Sequence, residues 1–441
     1  MDFQEMVGHE ADGLINFLNS STCNFWAVDT LRSTLIDNGY TELDMAESWH
    51  GKLHPGSRHF VVKNNSAIFA FKIGDGSPTS SFRIISAHSD SPGFRIKPAP
   101  EMKCDGGVVK LNTEVYGGPI LYTWFDRPLS IAGRVMMRGI DPLPPDTRLI
   151  RFDEPMLTIP HLAIHFNRSV NEGNPLSKQK DMLPVIGIVD EQVNARGMVL
   201  RMVADKLQVD PDQILDCDLT LYDTTPAQRW GSAGEFISSG RLDDLSMAYA
   251  AMRALLLAPD TITPEPVVRV MAVFDNEETG SGTKQGAASP ILRNIMMRIV
   301  EAFGGTFEDF SRAIAGSFMV SADNAHAVHP NYVEKYDPTN HPVVGRGPVI
   351  KINANCKYMT DADSAAVFRA VCEEAEVPFQ YFVNHSDVAG GSTLGNILTS
   401  QIDLRGVDMG AAIWAMHSVR ETASATDNAY IIRAFTRFYS C

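Results

Sequence analysis

Two adjacent glutamates, Glu277 and Glu278, follow the apolar run in VFDNEETGSG. Like charges side by side at the end of a buried strand repel each other and lose hydration, so something in the fold must offset both costs. Imidazole and carboxylate groups stand at comparable places elsewhere: His88 and Asp90 in FRIISAHSD, Asp243 in GRLDDLSMAYA, Asp323 in SADNAHAVHP and His417 in WAMHSVRE. Imidazole with carboxylate, and no thiolate, is a donor set for zinc, with manganese or cobalt as substitutes. Two divalent ions would offset the three carboxylates Asp243, Glu278 and Asp323, take His88 and His417 as neutral ligands, and leave positive charge for an anionic nucleophile. Glu277 need not then be a ligand. Neighbours in an extended stretch point to opposite sides, so Glu277 can face a substrate as general base while Glu278 holds metal. Asp90, two residues after His88 and on the same face, can accept the second imidazole N–H. Each piece alone is ordinary: Asp243 and Asp244 equally suit a helix start, where carboxylates meet the positive end of the dipole. Their order along the chain, each beside a strand end or a helix start, sets them apart.

The elements that must position these groups are legible in outline. Val28, Leu31 and Leu35 fall at helical spacing and Gly39 follows as a helix stop. HFVVKNNSAIFAFKIG predicts a hairpin turning at Asn64-Asn65, and FRIISAHSD a strand. From residue 93 to 232 the chain turns β-rich, with GGVVKLNTEVYGG and LSIAGRVMM as strands, which predicts an inserted domain between the halves 1–92 and 233–441. Beyond it, strand and helix alternate: GRLDDLSMAYAAMRALLL as a helix, PEPVVRVMAVFDNEE as an apolar strand introduced by prolines, and SPILRNIMMRIVEAFGG as a helix capped by Ser289 with Pro290 in its first turn. GSFMVSADNAHAVHP, GPVIKINA and FQYFVNH supply further strands. Apolar strands alternating with helices predict an α/β fold, a mixed and largely parallel sheet flanked by helices. In such sheets the loops beyond the carboxyl ends of the strands converge, which would gather the groups named above.

At 441 residues the chain has room for two or three domains. A net charge of −15, from 38 basic and 53 acidic residues, argues against nucleic acid or an anionic membrane as partner. No run of about 18 apolar residues could cross a bilayer, and MDFQE has no basic leader, so the expectation is a cytoplasmic protein. Six scattered cysteines with no C-x-x-C pair signal neither disulfides nor a thiolate zinc site.

The strings SAHSDSPGFRIKP, EVYGG, WFDRPLSIAGRV, PHLAIHFNR, GRLDDLSMAYA, DNEETGSGTKQGA, SADNAHAVHPNY, GPVIKINANCKY, GGSTLGNI and WAMHSVRE make the chain resemble the aspartyl aminopeptidases of peptidase family M18. The resemblance runs from the first helix to the last. It implies a zinc aminopeptidase domain of the phosphorylase/hydrolase-like type, interrupted by a β-rich dimerisation domain, and a homo-oligomer in which dimers build a tetrahedral dodecamer. It implies two zinc ions per subunit, one held by His88 and Asp323, the other by Glu278 and His417, with Asp243 bridging and Glu277 as base. His165 in LAIHFNR matches a histidine presented to the neighbouring subunit's active site, while the sequence alone favours a buried histidine in an amphipathic strand. His326, Lys351 and Tyr358 match substrate-contacting positions alongside Glu277 and Asp323, with Lys351 as the cation for an acidic first side chain. Without the resemblance, VIKIN reads as an ordinary strand with an exposed lysine. His329 and His341 are read as structural, and GGST at 390–393 as a backbone cradle or a simple turn. The pattern departs at Asp244, where asparagine is common, which leaves open which of the pair bridges. The expected substrates are peptides with N-terminal aspartate or glutamate. The rival readings are a broad dizinc aminopeptidase, an N-acyl amino acid deacylase, and a non-catalytic self-assembling scaffold of the same fold.

Overall fold

A computed structural model describes residues 2–74, 81–190, 194–259 and 267–441. The prolines expected to introduce the strand before Glu277, Pro264 and Pro266, lie outside the described residues. The chain forms two compact units: Met1–Asp90, Ala227–Met416 and Glu421–Cys441 make the first, and Ser91–Pro226 with His417–Arg420 the second. These edges differ slightly from the expected 93 and 232. Residues Gln228–Trp230 pair with Phe236–Ser239, which in turn pairs with Glu421–Ser424, so this short sheet belongs to the first unit.

The first unit is built on a nine-stranded sheet of described residues, in the order Thr41–Glu42, Arg58–Lys63, Ala67–Lys72, Val267–Phe274, Ser81–His88, Phe318–Ala322, Arg405–Gly410, Val349–Ile352 and Gln380–Val383. Its four central strands, Val267–Phe274 to Arg405–Gly410, are mutually parallel. Antiparallel pairs flank them on both sides, so the sheet is mixed and largely parallel, as expected. The strand Ser81–His88 shows why both faces need helices. Ile85 and Ala87 enter one core with Leu14, Val28, Leu245 and Ile432, while Phe82 and Ile84 enter another with Ile295, Met296 and Phe310. Side chains alternate across a pleated strand, and burial on both faces gives the near-continuous apolar runs seen in the sequence.

The hairpin turns where expected, with Asn64 and Asn65 at φ 56° and 57°, the left-handed pair that a two-residue turn requires. Two local readings need correction. A helix over Phe3–Ser20 precedes the expected one at Asn24–Asp37; Asp2 caps it in a reciprocal box with Glu5. Ser289 does not cap the helix Ile291–Ala302: its hydroxyl donates to the Gly286 carbonyl at 2.8 Å, and Pro290 occupies the cap position.

Among the described residues the second unit has a six-stranded antiparallel sheet, ordered Asp146–Arg151, Leu129–Met137, Ile214–Asp223, Gly93–Lys103, Val108–Tyr116 and Val185–Ile188, with a helix at Met198–Leu207. Phe94, Leu111, Trp124, Ile131, Val135 and Val203 form its core.

Candidate metal centre

The strands Val267–Phe274, Ser81–His88 and Phe318–Ala322 lie side by side and end at one level, with Phe274 opposite His88. The chain beyond these ends carries Glu277 and Glu278 after the first, His88 and Asp90 at the second, and Asp323 after the third. Asp243 and Asp244 arrive from the start of the helix segment Leu242–Leu257. Ligand atoms of His88, Asp243, Asp244 and Asp323 lie within 4.8 Å of one another, and so do those of His88, Glu277 and Glu278.

Each group is held by neighbours. The His88 Nδ1 lies 3.0 Å from the Asp90 carbonyl oxygen and 3.3 Å from Asp90 Oδ1, which leaves Nε2 directed away toward Asp243 Oδ1, 4.0 Å distant. The Asp90 carboxylate also accepts the backbone N–H of Glu277 on Oδ1 and of Glu278 on Oδ2, each at 3.1 Å. Asp90 thus orients the imidazole and the glutamate pair together. Asn276 sits at φ 62°, in the left-handed region that asparagine tolerates, with its Oδ1 accepting from Thr283 Oγ1 and Gln285 Nε2, both at 2.8 Å. Glu421 Oε2 accepts the Asp243 N–H at 3.0 Å, and Asp323 donates its N–H to the Met409 carbonyl at 2.9 Å.

Asp244 is fully buried; its Oδ2 accepts the His88 N–H at 3.1 Å, and its Oδ1 has no hydrogen-bond partner. A buried carboxylate oxygen left without a donor is costly unless a cation faces it. That oxygen, within a set of imidazole and carboxylate ligand atoms, fits a divalent ion with hard or borderline preferences. The electrostatics agree. Burial pushes Glu277 up to about 8; His88 pulls the other way, and Asp323, Asp90 and Asp243 push further up. Burial also pushes Asp244 well above the usual carboxylate range, with Asp323 and Asp243 adding to it against His88. Burial opposes charging His88, but the hydrogen bond to Asp90 and the charges of Asp244, Asp90 and Glu277 raise it well above its ordinary value. Divalent cations among these groups would reverse the sign of the local field and let the carboxylates ionise.

Lys351 is 3% exposed, not the exposed strand lysine that VIKIN alone suggests, and its Nζ lies 3.4 Å from Asp323 Oδ1. The ammonium sits 5.7 Å from the ring centroid of Tyr358, itself buried. His326 is exposed, on a two-residue strand just past Asp323, with its ring edge-on to Phe382 at 6.0 Å. His329 and His341 have local roles: the first accepts from Asn331 N–H at 3.2 Å, and the second lies 2.8 Å from the Asp337 carbonyl. In the 390–393 segment, Thr393 is the residue with a buried role, its hydroxyl donating to Asp408 Oδ1 at 2.6 Å. Two site candidates belong to the second unit. His417 has φ 67° and its Nδ1 lies 3.1 Å from the Gly118 carbonyl oxygen, so Nε2 is its remaining ligand atom. His165 is exposed, between the exposed Ile164 and Phe166.

Asp244, Asn276, Glu421 and Asp408 are the residues that sequence reasoning passed over or left unassigned. Asn276, before a glutamate pair that must turn sharply, carried a local signal. The others act through contacts between segments far apart in the chain.

The family model of aminopeptidase I zinc metalloproteases, M18, matches residues 17–439. The chain belongs to the M18 family of zinc aminopeptidases. A probable M18 family aminopeptidase 2 from Clostridium novyi is 46% identical over 431 residues, 98% of each chain. Among solved structures, the fold is similar to one in a cryo-EM structure of the Ape4 and Nbr1 complex, with TM-score 0.94 and 36% identity over 98% of this chain and 86% of that one. It is also similar to the S. cerevisiae mApe1 dodecamer subunit, with TM-score 0.84 and 24% identity over 98% of this chain and 97% of that one. This M18 chain is therefore a metallo-aminopeptidase in family and fold, and the His88 cluster is its candidate metal site.

Proposed function

We propose that this M18 enzyme removes N-terminal aspartate or glutamate from peptides, using two divalent ions, zinc by preference. His88 and Asp323 would hold one ion and Glu278 and His417 the other, with Asp243 between them. Ions held there would polarise the scissile carbonyl and lower the pKa of the attacking water. Glu277 takes the proton from that water and returns one to the leaving amine. Asp90 keeps Glu277, Glu278 and His88 in register, and His417 is aligned through its Nδ1 contact with Gly118.

The observation that carries the acidic preference is Lys351, buried with its ammonium 3.4 Å from Asp323. Once Asp323 is engaged by a cation, the lysine has a buried positive charge in need of a new anion. The side-chain carboxylate of an N-terminal aspartate or glutamate supplies it, while the substrate's free amine meets the site carboxylates. A neutral side chain would strand the ammonium, at a cost of several kcal/mol. His326 and Tyr358 complete the pocket.

We place His165 at the active site of a neighbouring subunit. It lies in a run exposing Leu162, Ile164 and Phe166, the last 81% exposed, an apolar segment that suits burial against a second copy. The S. cerevisiae relative is a dodecamer, and that assembly together with the exposed segment supports a dodecamer here, built from dimers through the second unit. Six unpaired cysteines suit a reducing cytoplasm.

The test is hydrolysis of matched Asp-, Glu- and Leu-dipeptides, with N-acetylated forms as controls, by the wild type and by Lys351→Met. The wild type should cleave only free acidic N-termini, and Lys351→Met should lose about 100-fold or more on them. Unchanged preference in the variant would remove Lys351 from the reading, and cleavage of the acetylated forms would point to a deacylase.

A further inference from the structure

We propose that Asp408 is the positioning residue of the acid-recognition pocket, fixing the segments that place Lys351 and Tyr358. The inference rests on the reading of Lys351 as the cation for the substrate side chain. Asp408 lies within the strand Arg405–Gly410, fully buried, and has no place in the metal cluster.

Its contacts converge from two parts of the chain. Oδ2 accepts the backbone N–H of Met359 at 2.6 Å, which pins the residue directly after Tyr358. Oδ1 accepts the Thr393 hydroxyl at 2.6 Å, which pins the segment Gly390–Thr393 where it enters a short helix. The Asp408 N–H donates to Thr360 Oγ1 at 2.8 Å, closing the same loop a second time. Both carboxylate oxygens are short acceptors, the geometry of a charge-assisted bond.

The place is built to receive a carboxylate. A Cβ on Gly395 would fall 2.6 Å from Asp408 Oδ2 and 2.7 Å from Oδ1, so the helix can approach only because position 395 is glycine. Across the sheet, Ser321 is the register partner of Asp408, and Asp323 lies two residues further on the same strand edge. On the other side, Ile350 pairs with Met409, so Lys351 follows at the level of Asp408 in an antiparallel ladder. Asp408 therefore stands between the strand leading to Asp323 and the strand carrying Lys351, tied to the loop carrying Tyr358. The Lys351 ammonium lies 3.4 Å from Asp323 Oδ1 and 5.7 Å from the centroid of the Tyr358 ring. A lysine held at both its charge and its aromatic neighbour is preorganised, and preorganisation favours ground-state binding of the acidic side chain.

The role predicts a split between binding and turnover. In the full-length zinc-loaded enzyme assayed on an aspartyl dipeptide, Asp408→Ala should raise KM about tenfold or more and leave kcat within about threefold, with zinc content unchanged. Asp408→Asn can accept the Met359 N–H through its amide oxygen and donate to the Thr393 hydroxyl, and should restore most of the lost KM. A fall in kcat with KM unmoved, or an Asn variant no better than Ala, would overturn the assignment. If Asp408→Ala does not fold, Thr393→Val removes one tether and is judged by the same KM criterion. Lys351→Met assayed in parallel separates the two ideas. Should it leave KM unmoved, the reading of Lys351 fails; should it raise KM while Asp408→Ala does not, only the role of Asp408 falls.

Discussion

Glu277 is the residue whose environment says most about its task. It is half-buried, its backbone N–H is fixed by Asp90, and burial pushes its carboxyl up to about 8. Neighbouring Glu278 shares the tether, and both carboxylates lie within 4.8 Å of a His88 ring nitrogen. Replacing Glu277 with glutamine keeps the shape and removes the proposed proton acceptor. Turnover should drop by about a hundred- to ten-thousandfold, the usual worth of a general base. Metal content, measured by mass spectrometry of the purified variant, should stay at the wild-type level. A Gln variant that loses its metal along with its activity would make Glu277 a ligand instead.

At the scale of elements, the tight turn after the strand Val267–Phe274 and the loop after Ser81–His88 are coupled through the one carboxylate of Asp90. Removing it with Asp90→Ala frees two backbone donors and one imidazole contact at once. Metal affinity, read by competition with a chelator, should fall by about ten- to a hundredfold, the effect typical of losing an outer partner of metal ligands; no change would show that the turn holds itself. A second coupling lies far from the metal. Asp427, in the first turn of the helix Ala425–Phe438, accepts the N–H groups of Gly345 and Gly347 at 2.6 and 2.7 Å. Burial nonetheless pushes its carboxyl up to about 7, the two N–H bonds acting against it. An unfolded aspartate titrates near 3.9, so the folded chain holds this proton across a window in which the unfolded chain has lost it. Its contribution is full below about pH 4 and declines as pH rises toward 7, by about 4 kcal/mol in all. The stability difference between wild type and Asp427→Asn, from urea midpoints, should accordingly shift in favour of the variant between pH 4 and 7. A difference independent of pH would mean that Asp427 is ionised throughout.

For the molecule as a whole, the run Leu162, Ile164 and Phe166 brings three exposed large apolar groups together in one short stretch. Phe166→Asp places a charge in the middle of it. Light scattering should then report a species smaller than the wild-type assembly, and activity should fall with it, because His165 would no longer reach a neighbour's site. An intact assembly with full activity would place the subunit contact elsewhere. Among the described residues no helix is long and apolar enough to cross a membrane, consistent with the hydropathy of the sequence.

Much of this protein was readable from the chain. Alternation and strand–helix rhythm implied the largely parallel sheet, because a strand buried on both faces must be apolar throughout. The imidazole and carboxylate groups at strand ends stood out as candidate metal ligands by their chemical type and their order along the chain. What the chain could not disclose were relationships between segments far apart: Asp244 bonding the His88 backbone, Glu421 bonding Asp243, and Asp408 joining Met359 to Thr393. A lone aspartate in an apolar strand and a lysine in VIKIN look like any others until the fold removes water from them. Burial and hydrogen-bond partnership are properties of the packed chain, so the tertiary structure alone turned Lys351 from an ordinary strand residue into a buried cation beside Asp323.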